Sequence, residues 1–111
     1  MIKLNTIIKV SYESILGSTF KIIDTINYKK YADQVPGIIA KFGGKVLARG
    51  GNFKILEGTD KFHRFVVIEF PSLKHGEECW ISEDYKNASF HRKNGAGEVD
   101  LILIEEGDAT K

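Results

Sequence analysis

Arg49 is the residue best placed to do chemistry. It closes the run Lys45-Val46-Leu47-Ala48-Arg49, which is apolar between its two basic ends, and Gly50-Gly51 follow it. A strand side chain points to one face of its sheet, so a guanidinium in such a run must reach a partner, water or a ligand. The paired glycines allow the strand to bend or bulge there. Two readings stand side by side. In one, Arg49 forms a structural ion pair with Glu57, Glu69 or a carboxylate of a partner chain. In the other, its planar fork recognises an anionic or carbonyl-bearing ligand. Either arrangement removes the cost of burying a guanidinium unpaired.

Arg92 shares a helical face with Tyr85, Ala88 and Ser89. The economical reading is structural, with a packed stem and a head that snorkels at the helix end. The alternative is that Arg92 converges with Arg49 on one cavity. His63, His75 and His91 are far apart in sequence, and no two share one element at the spacing of a zinc motif, so no metal site is expected. His91 adjoins Arg92 and is the histidine suited to general-base work near neutral pH, and Tyr31 is the second candidate for handling a proton. Cys79 shows no base or oxyanion partner and reads as a buried structural thiol. Tyr28, Tyr31, Trp80, Tyr85 and Phe90 either line an apolar pocket, with Trp80 and Tyr85 as ligand contacts, or form plain core. No G-x-G-x-x-G run follows a strand and no P-loop exists, so nucleotide binding has no support and no cofactor is expected.

The elements that must position these side chains can be read in order. Residues 1–17 are an N-terminal extension or carry an extra strand over Leu4 to Tyr12, with a boundary at Gly17. Ser18 to Ile23 reads as the first core strand. Asp24 caps a helix whose face is Tyr28, Tyr31, Ala32, Val35, Ile39 and Phe42. Pro36 removes one backbone donor inside it and predicts a kink near Val35, and Gly43-Gly44 end it. Lys45 to Glu57 reads as a long strand interrupted at Gly50-Gly51. Arg64 to Phe70 is nearly all apolar and reads as a central strand covered on both faces. Ser72 caps a second helix, and Ser82, followed by Glu83 and Asp84, marks another helix start. Val99 to Ile104 is the last strand, and residues 108–111 are a polar tail. The order β-α-β-β-α-β over residues 18–107 is the ferredoxin-like arrangement of an α+β fold.

A chain of 111 residues, 42% hydrophobic and 28% charged, suits one globular domain with a modest core. The net charge of +1 gives no field to attract nucleic acid or an anionic membrane, so neither is expected as a partner. The single cysteine excludes an intramolecular disulfide and fits a reducing compartment. The first nine residues are broken by Lys3, Asn5, Thr6 and Lys9, unlike a signal peptide, and no run is long enough to span a bilayer. A cytoplasmic address is expected.

Four blocks then carry a resemblance. Tyr28-Lys29-Lys30-Tyr31 with Pro36 and Gly43-Gly44 is the first, and Leu47-Ala48-Arg49-Gly50-Gly51 continuing to Leu56-Glu57-Gly58 is the second. Val66-Val67-Ile68-Glu69-Phe70-Pro71-Ser72 is the third. The fourth runs from Ser82, Tyr85 and Arg92 to Asp100-Leu101-Ile102-Leu103-Ile104-Glu105. In this order and spacing the chain resembles the family called domain of unknown function 1330, of the dimeric α/β-barrel superfamily, over residues 18–107. It departs from the family pattern in the length of residues 1–17, in Glu83-Asp84 where a Pro-Glu pair is common, and in Phe42 where His is frequent. The resemblance implies a ferredoxin-like protomer whose sheet pairs with a second copy in a homodimer. Cofactor-free monooxygenases, lactone isomerases, haem enzymes and amino-acid sensors share the superfamily, so the fold does not select a chemistry.

Three functions remain open at this stage. An enzyme without a tightly bound cofactor would act on a small organic acid or aromatic metabolite, with Arg49 orienting a carboxylate or stabilising an enolate and His91 or Tyr31 moving a proton. A binding module would sense or carry a metabolite. A structural dimer would have no ligand. Acid–base groups converging on a cavity favour the first, a cavity without them favours the second, and arginines tied up in ion pairs without a void favour the third.

Overall fold

A computed structural model describes the protein from Tyr12 to Thr110. Residues 1–11 lie outside the described residues, and with them nearly all of the candidate strand from Leu4 to Tyr12. The elements are β1 (Ser14–Ile22), α1 (Thr25–Lys41), β2 (Lys45–Arg49), β3 (Arg64–Phe70), α2 (Leu73–Ile81), α3 (Glu83–Lys93) and β4 (Gly97–Glu105). The strands form one antiparallel sheet in the order β2-β3-β1-β4. This is the expected ferredoxin-like α+β protomer, with the second helical connection divided in two at Ser82.

The helices cover one face of the sheet. Period-two alternation sends Leu16, Ser18 and Phe20 of β1 to that face beside Val66, Ile68 and Phe70 of β3, and Leu101 and Leu103 of β4. Phe70 is only 1% exposed and sits near the centre of the core. The opposite parity puts Ile15, Gly17, Phe65, Val67, Ile102 and Ile104 on the other face, which no described helix covers. β3 is therefore covered on one face by this protomer, not on both as its apolar run suggests.

Local signals explain the helix ends. The Asp24 carboxylate accepts from the backbone N–H groups of Ile26 and Asn27 and starts α1. Gly43, at φ +75°, supplies the left-handed turn after it. Pro36 is accommodated inside one continuous helix rather than ending it. Ser82 serves two helices at once: its hydroxyl donates to the Cys79 carbonyl at 2.7 Å and accepts from the Tyr85 N–H at 3.2 Å. Gly76 lets α2 lie close to the sheet, since a Cβ there would come within 2.7 Å of a Leu103 methyl.

Several boundaries differ from the sequence reading. β1 begins at Ser14, so Gly17 is mid-strand, paired with Val67 and Ile102, and marks no boundary. β2 stops at Arg49 and residues 50–63 are irregular, so their apolar residues extend none of the sheet's three ladders. The register slip in β2 falls between Val46 and Ala48, upstream of the glycines. Ser14 is fully buried with no hydrogen-bond partner for its hydroxyl among the described residues. An unsatisfied buried hydroxyl costs about 1–3 kcal/mol. Ser14→Ala is therefore expected to leave the melting temperature unchanged or raise it by a few degrees, and a marked fall in a thermal melt would show that the hydroxyl is in use.

Candidate functional site

A cavity of about 60 Å³ lies between the sheet and the helices. Its floor is Leu16, Ser18 and Phe20 with Val66 and Ile68, and its roof is Tyr28, Tyr31 and Val35 of α1 with Cys79 and Trp80 of α2 and Tyr85 of α3. Helical spacing brings the aromatics together. Tyr28 and Tyr31 are three residues apart on the buried face of α1, and α3 delivers Tyr85 from the opposite side. Phe20, Tyr28, Tyr31 and Tyr85 then run in an edge-to-face series with ring centroids 5.8, 5.5 and 6.1 Å apart. The Tyr31 and Tyr85 hydroxyls are 2.9 Å apart in a hydrogen bond.

The polar walls are of two kinds. Inside, burial pushes the Tyr28 phenol up to about 12, the Cys79 thiol up to about 11, and the Tyr31 phenol higher still, in each case because the anion would lose its hydration. All three are therefore neutral donors at physiological pH, and none is a base. At the mouth are two guanidinium groups. Arg49, at the end of β2, and Arg64, at the start of β3, line both the cavity and an outer cleft of about 240 Å³ that Tyr28 and Ala32 share. The opposing register of β2 and β3 makes them neighbours, with the Arg64 guanidinium carbon 3.8 Å from where a Cβ on Gly50 would lie. Neither forms an ion pair with a carboxylate of a described residue, Glu57 and Glu69 included. Arg49 instead donates from Nη2 to the Ala32 carbonyl at 2.9 Å.

Arg92 is 5% exposed, with its guanidinium 5.1 Å from the centre of the Tyr31 ring and Nη2 3.5 Å from the Tyr85 hydroxyl. Its Nε has no partner among the described residues. It is buried behind the tyrosines and does not line the cavity, so the two arginines do not converge there; nor does Arg92 snorkel. His91 is one residue back, about 100° around the helix, where its ring and that of Phe90 meet edge-to-face with centroids 6.0 Å apart, and it does not line the cavity. Phe90 is exposed. His75 binds Ser72 at the head of α2 and His63 accepts from the Ile22 N–H, both outside the cavity. Among the described residues no three His, Cys, Asp or Glu side chains gather as a metal site would need.

The family described as Domain of unknown function (DUF1330) matches residues 15–107. The chain belongs to this family. Among solved structures, a protein of unknown function from Rhodopseudomonas palustris aligns with TM-score 0.68 at 18% identity, over 90% of this chain and 85% of that one. A dimeric protein of unknown function with a ferredoxin-like fold from Bacteroides fragilis aligns with TM-score 0.60 at 13% identity, over 85% and 96%. SnoaB, a cofactor-independent oxygenase from Streptomyces nogalater, aligns with TM-score 0.60 at 10% identity, over 89% and 97%. No match was found among curated proteins. At these identities the structural likenesses establish the fold.

Within this DUF1330 fold, the site residue that the sequence reading passes over is Arg64. Its signal was available: it lies two and four positions before Val66 and Ile68, on the parity that faces the helices. Among the described residues, no helix is long and apolar enough to cross a membrane.

Proposed function

We propose that the protein binds a short-chain organic acid, carboxylate outward and aliphatic end inward, and does not itself transfer a proton on it. The observation that carries this reading is the pair of guanidinium groups, Arg49 and Arg64, at the mouth of an apolar cavity and without a carboxylate partner among the described residues. A planar fork recognises a carboxylate with paired hydrogen bonds. The cavity of about 60 Å³, well below the roughly 150 Å³ of a site that admits benzene, favours a slender unbranched end, and the rest of a chain such as hexanoate lies in the adjoining outer cleft of about 240 Å³. The neutral phenols add hydrogen-bond donors but no base. Tyr31 thus acts as a donor rather than a proton acceptor, and His91 stands too far aside to take that part. A binding or sensing role accounts for this set of groups better than an enzyme or a ligandless dimer does. We further propose that the protein works as a homodimer through its uncovered sheet face. Its lone cysteine, buried and unpaired, suits the cytoplasm.

Trp80, the only tryptophan, lines the cavity and reports on its filling. Titration with hexanoate is expected to change its fluorescence, and hexanamide, of the same length without the charge, is expected to bind at least ten-fold more weakly. Arg49→Ala and Arg64→Ala should each weaken hexanoate by about ten- to a hundred-fold, as losing a charged hydrogen bond of about 1.5–3 kcal/mol requires, with only a small change in melting temperature. Equal binding of acid and amide would overturn the carboxylate assignment. A large stability loss with unchanged affinity would return Arg49 to a structural role.

A further inference from the structure

The Arg49 tether lands on a carbonyl that the helix cannot use. In an α-helix the N–H of residue i bonds the carbonyl of residue i−4. Residue 36 is proline, which has no N–H, so the Ala32 carbonyl loses its donor inside α1. That same oxygen accepts from Arg49 Nη2 at 2.9 Å. Pro36 and Arg49 both line the cavity, and Ala32 and Arg49 both line the outer cleft. The vacancy is therefore at the mouth, and the side chain that fills it comes from the edge strand.

We infer that Pro36 is a positioning residue: by denying Ala32 its helical partner, it leaves a carbonyl that holds one arm of the Arg49 fork and so fixes the direction of the rest. A guanidinium has five N–H donors. One is spent on Ala32, and the others remain for a ligand. Arginine has a long flexible stem, and a head held at one corner loses less freedom when it binds. Gly50, next in the chain, still donates its N–H to the Phe65 carbonyl at 3.2 Å, and its left-handed φ of +68° ends β2 there. The part that bears on ligand binding rests on the carboxylate reading above; the tether itself does not.

Pro36→Ala tests both parts, because it restores the N–H that competes for Ala32. A thermal double-mutant cycle with Arg49→Ala needs no ligand. In the wild-type background the carbonyl is already satisfied, so Pro36→Ala gains little from it. In the Arg49→Ala background the carbonyl is bare, and the same substitution should raise the melting temperature by about 4 °C more, the shift expected when a bond of about 1 kcal/mol is regained. With hexanoate as probe, Pro36→Ala should weaken binding by about five-fold or more, yet cause no further loss when Arg49 is already alanine. Additive melting temperatures would overturn the tether. Coupled melting temperatures with unchanged hexanoate affinity in Pro36→Ala would overturn the positioning role. If wild-type protein fails to bind hexanoate while the cycle is coupled, the carboxylate reading fails and the tether stands.

Discussion

Deletion of residues 1–16 is expected to yield insoluble or molten protein, and it is read against deletion of residues 1–11, which keeps Tyr12 and all of β1. The difference between the two is Tyr12, Glu13 and the first part of β1. Ser14, Ile15 and Leu16 pair with Phe70, Glu69 and Ile68 on one side and with Glu105, Ile104 and Leu103 on the other. β1 is an inner strand, so cutting it strips ladder bonds from both neighbours. Each lost bond costs about 1 kcal/mol, and losing the buried Leu16 side chain adds about 2 kcal/mol. The sum, roughly 5 kcal/mol or more, reaches the lower end of a small domain's whole stability. Phe70, directly opposite Ser14, would also lose its neighbour in the core. Far-UV circular dichroism melts of the two deletions decide the matter. A cooperative melt of the shorter chain within a few degrees of the longer would show that the strand before Gly17 is dispensable.

The same strand shows how far the sequence could be read. A glycine followed by Ser18-Thr19 looks like a boundary, because glycine weakens a strand. Here Gly17 lies opposite Val67 and Ile102 on the uncovered face, where nothing comes within 4 Å of a Cβ position, and the ladders on both sides carry the strand through. Helix signals were more legible because they are local. Ser82 was readable as a cap, and Tyr85, Ala88, Ser89 and Arg92 as one face, and all four are buried as that spacing requires. Strand extent depends on partners that are distant in sequence. Phe53, Ile55 and Leu56 resemble a continuation of β2, yet they form an irregular, exposed segment. The candidate site divides in the same way. Arg49 stood out as a charge in an apolar run, while Arg64 was hidden at a strand start until pairing brought it alongside. His91 and Arg92, adjacent in sequence, point to different surroundings because neighbouring helical positions are about 100° apart. The link from Pro36 to Arg49 joins a helix interior to an edge strand, and no local pattern announces it.

Parity also decides the second large effect. In β4, Leu101 and Leu103 turn inward, and Ile102 and Ile104 take the other sheet face at 67% and 62% exposure. With Ile15, Val67 and Phe65 they make an apolar surface around Gly17. Phe53 packs on Phe65 at 4.7 Å and extends it toward the exposed Leu56. Contiguous apolar patches of this kind mark association surfaces, and two such sheets pack face to face about 10 Å apart. Wild-type protein at micromolar concentration is therefore expected to scatter light as a dimer. In a two-fold interface each substitution counts twice, so Ile102→Asp with Ile104→Asp would bury four carboxylates, each costing several kcal/mol. The double variant should be monomeric under the same conditions. It should keep its far-UV spectrum, because neither isoleucine belongs to the protomer's core. A monomeric wild type would mean that this face does not associate. A dimeric double variant would place the interface elsewhere.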